Sequence, residues 1–197
     1  MMKSSSTACI ILAAGGSTRL GLPKQLLQLE QKSLLRRACE TALDLDVAEV
    51  VVVLGFEMDR MKRELNDLPV KVLPNQRWKE GIASSIRVGV EALPHSIDAA
   101  MVILCDQPFV PPAHLRRLIE ACSVQTPIAA TAYPNAPGVP ACFARVVFPE
   151  LLSLEGDAGA KRIIAHHRHE VAEFPCPEAS IDIDTLADYQ NHLNPLT

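Results

Sequence analysis

The stretch at residues 8–16, Ala-Cys-Ile-Ile-Leu-Ala-Ala-Gly-Gly, decides the fold class. It is a short continuous apolar run that ends at two glycines, which is typical of a strand buried on both faces of a sheet. Ser33 is then a suitable N-cap for a helix whose apolar residues recur at helical spacing up to Leu45. Because residues 49–54 form a second apolar run, this part of the chain is predicted to be a strand, a loop, a helix and a strand.

The same alternation continues along the chain. The pattern predicts further helices over 58–65, 84–93 and 113–122, within 145–154 and 158–167, and after Asp184. It predicts further strands over 70–73, 99–104, 128–132, 139–143 and 171–174. Such alternation indicates the α/β class, as a three-layer αβα sandwich with a mostly parallel, mixed sheet. Because no repeat or low-complexity linker interrupts the pattern, we expect a single domain over residues 1–197.

Length, composition and charge exclude several classes of protein. At 197 residues, with 48% hydrophobic and 21% charged residues, the chain suits one medium globular domain rather than a disordered or fibrous protein. A net charge of -4 without a long basic tract argues against nucleic-acid binding. The apolar run after Thr7 is too short to enter a membrane, so we expect a cytoplasmic protein. The scattered cysteines are expected to be reduced core residues, namely Cys9, Cys39, Cys105, Cys122, Cys142 and Cys176.

The loop after the first predicted strand, residues 12–24, reads Leu-Ala-Ala-Gly-Gly-Ser-Thr-Arg-Leu-Gly-Leu-Pro-Lys and is called the glycine loop below. It lies at the carboxyl edge of the sheet, where parallel sheets bind ligands. Glycines allow backbone N–H groups to approach a phosphate closely, and Arg19 and Lys24 add cationic donors. The spacing fits neither the Walker loop nor the dinucleotide-binding fingerprint. The loop alone is therefore either a phosphate-binding loop or a tight turn with solvated basic residues.

Three aspartates are candidate metal ligands. Asp106 comes just after the predicted strand at 99–104, at the same sheet edge as the glycine loop, and magnesium prefers oxygen ligands of this kind. Its alternative role is a loop cap. Asp182 and Asp184 alternate with isoleucines, so in an extended chain both carboxylates face one side and invite a cation. The alternative is that Asp184 or Thr185 caps the closing helix.

The remaining polar candidates have ordinary structural explanations. His166, His167 and His169 surround a predicted helix end, where the helix dipole favours cations whatever their function. Trp78 is expected to anchor the core or a loop. No His–carboxylate or Ser–His pairing is recognisable, and this fits a reaction without a covalent enzyme intermediate.

Short motifs in the rest of the chain accompany the glycine loop. They are Asn75, Gly-Ile-Ala-Ser-Ser-Ile at 81–86, Asp106-Gln107-Pro108, Gly138 with Pro140 and Phe143, Gly-Asp-Ala-Gly-Ala at 156–160, and Asp-Ile-Asp-Thr at 182–185. As a set, over nearly the whole chain, they resemble the MobA-like NTP transferases, and among them most closely the molybdenum cofactor cytidylyltransferases. The resemblance implies a Rossmann-like nucleotidyltransferase fold of the GT-A type.

Details of the motifs bear on the choice of nucleotide. Leu-Ala-Ala-Gly, which contains Ala14, stands where the guanylyl-transferring relatives look like Leu-Ala-Gly-Gly, and Pro23-Lys24-Gln25 is similar to the cytidylyl branch. Ala83 and Val139 depart from that branch, which usually has serine at the first position and often histidine at the second. The resemblance therefore favours CTP, and the departures concern the base and acceptor contacts.

The resemblance also implies roles for individual residues. Magnesium, or manganese in its place, is held by Asp106 and Asp184. The catalytic residues are Arg19, Lys24 and Asp106. Nucleotide contacts are expected at Leu12, Ala13, Ala14, Gly15, Gly16, Ser17, Arg19, Lys24, Asn75, Gly81 and Ser85. Acceptor contacts are expected at Gln107, Gly138, Asp157 and Lys161.

The implied reaction transfers CMP from CTP to molybdopterin carrying molybdenum and releases pyrophosphate. The expected partners are these small molecules, with transient contact to a molybdenum hydroxylase or a cofactor-delivery protein. One alternative is guanylyl or uridylyl transfer to a pterin, sugar phosphate or polyol phosphate. Another is a non-catalytic nucleotide-binding carrier or chaperone for the cofactor.

Overall fold

The computed structural model describes residues 6–17 and 22–193, so Arg19, a predicted catalytic and nucleotide-binding residue, lies outside the described residues. The strands within these ranges are β1 (Thr7–Ala13), β2 (Gln28–Leu29), β3 (Lys32–Ser33), β4 (Glu49–Leu54), β5 (Lys71–Pro74), β6 (Ala99–Leu104), β7 (Ile128–Ala132), β8 (Gly138–Ala144) and β9 (Val171–Pro175). The α-helices within them are α1 (Leu34–Leu43), α2 (Met58–Arg63), α3 (Ile82–Glu91), α4 (Pro112–Ala121), α5 (Phe148–Leu152), α6 (Lys161–His166) and α7 (Leu186–Leu193).

The described residues form a seven-stranded sheet in the order β5-β4-β1-β6-β8-β7-β9. The strands β5, β4, β1 and β6 run parallel to one another. Strand β8 is antiparallel to its neighbours β6 and β7, and β9 is parallel to β7. The sheet is therefore mixed and mostly parallel, as predicted, with β1 buried along its whole length near the centre.

Helices cover both faces of the sheet and so make three layers. Along β1, Ile10 and Ile11 point to opposite faces, as successive residues of a strand do. Ile11 belongs to a buried cluster with side chains of α1, α2 and α4, and Ile10 to a second cluster with side chains of α3, α5 and α6. Burying one such side chain contributes about 1.5–3 kcal/mol. The predicted αβα sandwich is confirmed, and its two cores fix the strand that leads into the glycine loop.

Most predicted elements are confirmed to within one or two residues. Ser33 is the N-cap of α1, where its hydroxyl accepts a hydrogen bond from the N–H of Arg36 at 3.2 Å. Helix α3 begins two residues earlier than predicted, directly after Gly81, whose φ of 104° is accessible to glycine. The short antiparallel hairpin of β2 and β3 was not predicted.

The structure also bears on the predictions about the cysteines and about membrane insertion. The six cysteines are buried and unpaired, as expected. Burial raises the pKa of Cys39 to about 12, so this thiol stays protonated at neutral pH. Of the helices in the described ranges, none is both long and apolar enough to cross a membrane.

The parallel arrangement of β4, β1 and β6 positions the candidate site. These strands are neighbours, so the loops that follow them meet at one edge of the sheet. The loops after β4 and β1 are joined directly, because the N–H of Phe56 donates to the carbonyl of Ala14 at 3.1 Å. The loop after β6 carries Asp106. The fold thus brings the glycine loop and the predicted metal ligand to the same edge.

Candidate active site

A cavity of about 560 Å³, called the first cavity, lies at the carboxyl ends of β1 and β6. It is lined by many of the residues predicted to contact a nucleotide, namely Leu12, Ala13, Ala14, Gly15, Gly16, Lys24, Gly81 and Ser85. Asp106 lines the same cavity. Concave sites of this size at the carboxyl edge of a parallel sheet are the usual ligand sites of α/β folds.

The glycine loop is fastened by Gln25, a residue to which the sequence alone assigned no role. Gln25 is 1% exposed, and its Nε2 donates to the carbonyl oxygens of Ala13 at 3.0 Å and Gly15 at 2.7 Å. Its Oε1 accepts from the hydroxyl of Ser17 at 3.4 Å, and that hydroxyl accepts from the backbone N–H of Lys24 at 3.0 Å. Since buried carbonyls that lose their donors are costly, these bonds fix the path of the loop.

The ammonium group of Lys24 lies between two carboxylates. Its Nζ is 2.5 Å from Oδ2 of Asp106 and 2.8 Å from Oδ1 of Asp184. Burial by itself lowers the pKa of Lys24, but the charge of Asp106 and the hydrogen bonds to both carboxylates outweigh it and raise the pKa above its usual value. Lys24 is therefore charged at neutral pH. It was predicted to contact phosphate, and here it pairs with the two predicted metal ligands.

Asp106 and Asp184 fit a divalent cation that also binds phosphate. Within the described ranges, the buried Oδ1 of Asp106 has no hydrogen-bond partner, and a bound cation would give this oxygen a partner. Magnesium needs only one or two carboxylates, because phosphate oxygens and waters complete its coordination shell. Residues 6–17 and 22–193 contain no group of three or more His, Cys, Asp or Glu side chains arranged to hold a metal. A metal site in which substrate phosphate oxygens complete the coordination fits the unpaired oxygen of Asp106 and the small number of ligating side chains.

The segment before α7 brings Asp184, rather than Asp182, to Lys24. The N–H of Ile183 donates to the carbonyl of Asp106 at 2.9 Å and so joins this segment to the end of β6. Ile183 is 1% exposed, as expected of an inward-facing residue, but the segment is not a regular strand. Asp182 lines a different cavity, described below. Burial and the charges of Asp106 and Asp184 raise the pKa of Asp182, so its carboxyl lies near the same group of charges, and the prediction that both aspartates face one cation stays a prediction.

The first turn of α7 is capped by Thr185 and Asp188. The hydroxyl of Thr185 accepts from the N–H of Asp188 at 3.2 Å, and the carboxylate of Asp188 accepts from the N–H of Thr185 at 2.8 Å. This reciprocal pair is a capping box. Of the two candidate caps, Thr185 performs this function, while the carboxylate of Asp184 contacts Lys24.

An aromatic wall closes part of the first cavity. Trp78 lines the cavity and meets the ring of Phe56 edge to face, with ring centroids 5.6 Å apart. A Cβ added at Gly55 would lie 2.7 Å from the Cβ of Trp78 and 2.8 Å from the carbonyl oxygen of Ala14. A Cβ added at Gly16 would lie 3.1 Å from the indole. Trp78 is thus a loop anchor, as predicted, and also a cavity wall.

Asn75 supports the first cavity without lining it. It is 3% exposed, and its Nδ2 donates to the hydroxyls of Ser84 at 2.8 Å and Ser85 at 2.9 Å. Ser85 lines the cavity, whereas Asn75 does not. The predicted nucleotide residue Asn75 therefore positions the first turn of α3.

A second cavity of about 460 Å³ adjoins the first, and the two share Leu12, Ile82, Leu104 and Asp157. The second cavity is lined by the four predicted acceptor residues, namely Gln107, Gly138, Asp157 and Lys161. Asp182, one of the candidate metal ligands, also lines it. Gln107 is held by its Nε2, which donates to the carbonyl of Ala179 at 2.9 Å and to the hydroxyl of Tyr133 at 3.2 Å. Two joined cavities of this kind suit an enzyme that brings two substrates together.

Of the histidines at the end of α6, His167 bridges two glutamates. Nε2 of His167 is 2.7 Å from Glu150, and its Nδ1 is 2.8 Å from Glu170. Hydrogen bonds to Glu170 and Glu150 raise the pKa of His167. This contact joins α5 to the turn after α6 and lies away from both cavities, in accord with the structural role expected from the sequence.

Comparisons with known proteins agree with this geometry. Residues 9–171 match the MobA-like NTP transferase domain. The chain is 30% identical over 188 residues to the nicotine blue oxidoreductase of Paenarthrobacter nicotinovorans, and the match covers 90% of this chain and 91% of that protein. The crystal structure of Rv0371c from Mycobacterium tuberculosis H37Rv is 30% identical with a TM-score of 0.83, over 98% of this chain and 100% of that chain. The structure of Rv0371c in complex with manganese is 29% identical with a TM-score of 0.80, over the same shares.

Proposed function

The chain belongs to the MobA-like NTP transferase family, and we propose that it transfers CMP from CTP to the terminal phosphate of molybdenum-bearing molybdopterin. The observation that carries this proposal is the junction of the two cavities. The glycine loop, Lys24 and Asp106 line the first cavity, and the predicted acceptor residues line the second. A triphosphate in the first and an acceptor phosphate in the second would meet where the cavities share their walls.

The proposed reaction is an in-line displacement at the α-phosphorus of CTP. A terminal phosphate oxygen of the acceptor forms the new P–O bond, and the bond to the β-phosphate breaks so that pyrophosphate leaves. An anionic phosphate nucleophile needs no general base, and among the described residues no histidine lines either of the two cavities. The protein's contribution is then to position the substrates and neutralise charge.

The residues of the first cavity have different roles in positioning the substrates and neutralising charge. Asp106 and Asp184 would hold magnesium, and the manganese complex of Rv0371c supports the use of a divalent cation in this fold. When bound, the cation supplies positive charge to the phosphate oxygens. Lys24 would neutralise charge on the leaving pyrophosphate. Gln25 keeps the loop in the conformation that receives the phosphates.

Ala14, in the wall of the first cavity, supports a pyrimidine nucleotide. Ala14 is 4% exposed, and its methyl group stands at a position where the guanylyl-transferring relatives look like glycine. Trp78 packs on the backbone at Gly16, so that even a methyl group there would be crowded. The methyl group of Ala14 takes space that a glycine would leave open, and this favours CTP.

The two departures from the cytidylyl branch affect the two cavities differently. Ala83 is completely buried and lines neither cavity, so the alanine removes no direct nucleotide contact. Val139 lines the second cavity, where it adds apolar surface in place of an imidazole. The acceptor contacts are therefore the part of the proposal that differs most from the pattern of the branch.

The test is turnover with defined substrates. The protein is incubated with magnesium, molybdenum-bearing molybdopterin and one of CTP, GTP, UTP or ATP, and pyrophosphate release is measured together with transfer of labelled nucleotide. We expect kcat/KM with CTP to exceed the others by at least about tenfold, the scale of discrimination that a shaped pocket provides.

Other outcomes separate the alternatives. Preference for GTP or UTP, or turnover only with a sugar or polyol phosphate, would overturn the cytidylyl proposal. Binding of CTP without release of pyrophosphate would favour a cofactor carrier. Because one relative is named an oxidoreductase, a parallel assay follows oxidation of NADH and NADPH, and turnover there without nucleotide transfer would also contradict the proposal.

A further inference from the structure

The second cavity does not end at Lys161 but continues into a third. The third cavity has a volume of about 350 Å³. The two cavities share Tyr133, Pro134, Asn135, Ala136 and Lys161, and are therefore contiguous. The acceptor site is thus longer than the part next to the nucleotide, and Lys161 lines both the second and the third cavity.

The side chain of Lys161 passes beside Gly138 at the start of β8. A Cβ added at Gly138 would lie 3.3 Å from the Tyr133 ring and 3.8 Å from Cε of Lys161. The aliphatic part of the lysine therefore passes close to the start of β8, beside the tyrosine ring. This packing sets the ammonium group at the boundary between the cavities.

Two cations line the continuation of the site. Lys161 and Arg168 both line the third cavity, and both are exposed. In the part of the chain that the structure describes, neither has an ion pair or a side-chain hydrogen bond, unlike Arg36, Arg37 or Arg116. Glu173 lines the same cavity, so the formal charge of its lining is positive. A cavity with unpaired cations favours an anionic ligand.

The walls between the nucleotide and these cations combine apolar and acidic side chains. The apolar ones are those of Leu12, Ile82, Ile86, Leu104 and Val139, and the carboxylates of Asp157 and Asp182 line the same cavity. The apolar part suits the flat or apolar middle part of a ligand. Beyond this mixed stretch, the side chains of Lys161 and Arg168 provide the positive charge.

We propose that Lys161 and Arg168 bind a second anionic group of the acceptor, remote from the phosphate that reacts. The acceptor class is then an elongated molecule with an anionic group at each end of an apolar or planar middle. This inference rests on the proposed function, because it assumes that the second cavity receives the phosphate that attacks CTP. It adds Arg168 and the third cavity to the site.

The test compares charge variants in a binding assay that does not depend on turnover. Molybdenum-bearing molybdopterin is titrated into the wild type and into Lys161→Met, Arg168→Met, Glu173→Gln and Arg162→Met. Arg162 is the matched control, because it adjoins Lys161 in α6, is exposed and lines none of the three cavities. We expect each of the first two changes to raise Kd about tenfold, and Glu173→Gln to lower it by about twofold, while Arg162→Met leaves it unchanged.

Salt and kinetics distinguish direct binding from a structural effect. The wild-type Kd should rise with added NaCl, and this dependence should become weaker in Lys161→Met and Arg168→Met. In turnover assays both variants should raise KM for the acceptor, with KM for CTP and kcat within about twofold of the wild type, because the lost contact is uniform in ground and transition states.

The outcomes separate this inference from the proposed function. If Lys161→Met and Arg168→Met bind molybdenum-bearing molybdopterin as tightly as the wild type does, the inference is overturned and the proposed reaction is unaffected. Failure of the wild type to bind molybdopterin, while CTP is transferred to another acceptor, would overturn the proposed acceptor. The KM values of the same variants for that other acceptor would then decide whether the cations take part.

Discussion

Lys24 occupies the position between Asp106 and Asp184 that a bound cation would share. Its ammonium group therefore competes with a metal ion for the same carboxylates. We expect Lys24→Met to bind Mn²⁺ about tenfold more tightly in the absence of nucleotide, because two carboxylates lose their cationic partner. The measurement is a titration followed by electron paramagnetic resonance of free Mn²⁺.

The control for this prediction is Lys79→Met. Lys79 also lines the first cavity, but its Nζ lies 5.4 Å from the centre of the Trp78 ring, and it makes no ion pair within the described residues. Its removal should leave Mn²⁺ affinity unchanged. Unchanged or weaker Mn²⁺ binding in Lys24→Met would show that the lysine does not compete for the metal position.

Asp106 and Asp182 are expected to differ in function although both are aspartates at the same edge of the sheet. Asp106→Asn should lower kcat by at least about 100-fold, the scale of removing one preorganised electrostatic group, and should weaken Mn²⁺ binding. Asp182→Asn should leave Mn²⁺ affinity as in the wild type and change KM for the acceptor, because Asp182 lines the second cavity. Steady-state kinetics and Mn²⁺ titration of both variants test the assignment, which near-normal turnover of Asp106→Asn would refute.

Gln25 is expected to matter for nucleotide binding because it holds the glycine loop in place. Gln25→Leu keeps the approximate volume but removes the donors to the carbonyls of Ala13 and Gly15. We expect a loss of about 1–3 kcal/mol in the free energy of unfolding and a rise of about tenfold in KM for CTP. Denaturant titration and kinetics provide the two measurements. Gln28→Leu is the control, since Gln28 is an exposed neighbour with one long hydrogen bond, and equal effects of the two changes would contradict the role of Gln25.

At the scale of elements, the capping of α7 is coupled to the site. Thr185→Ala removes half of the capping box beside Asp184, and Ser33→Ala removes the equivalent cap of α1. Each change should lower the free energy of unfolding by about 1 kcal/mol, or the melting temperature by about 2–4 °C. Only Thr185→Ala should also weaken Mn²⁺ binding. Equal Mn²⁺ affinity in the two variants would show that the cap acts on stability alone.

The sheet was predictable from the sequence because its strands are continuous apolar runs buried on both faces. Such runs are visible in one dimension, as β1 and β6 demonstrate by their nearly complete burial. The hairpin of β2 and β3 was missed because each strand has two residues. Its turn uses Glu30 and Gln31 at positive φ, instead of the Asn-Gly or Gly-rich pairs that indicate such a turn.

The site was predictable only where function follows strand ends. The glycine loop and Asp106 could be assigned because they come directly after buried parallel strands. The role of Gln25 and the position of Trp78 in the cavity wall could not, because they depend on which distant atoms the fold brings together. The choice between Asp182 and Asp184 likewise depended on the hydrogen bond from Ile183 to Asp106, which spans 77 residues of sequence and has no local signal.

At the scale of the whole molecule, a titratable ion pair joins α5 to the turn after α6 on one face of the sheet. His167 contacts Glu150 of α5 and Glu170 after α6, and the hydrogen bonds to these carboxylates raise the pKa of His167. A raised pKa means that folding favours the protonated form. Its contribution to stability is therefore complete below the unfolded pKa of about 6.5 and is lost as the pH rises through the folded value.

The expected result is a stability difference that depends on pH. The wild type should be more stable than His167→Gln by about 1 kcal/mol at about pH 5.5, and the difference should approach zero by about pH 9. Denaturant titration at several pH values measures it. His169→Gln controls for the loss of a histidine, because His169 is exposed in the same turn and should follow the wild-type profile. A difference that is constant with pH would mean that His167 stabilises the protein by packing rather than by charge, and the two glutamates would then be neighbours without an electrostatic function.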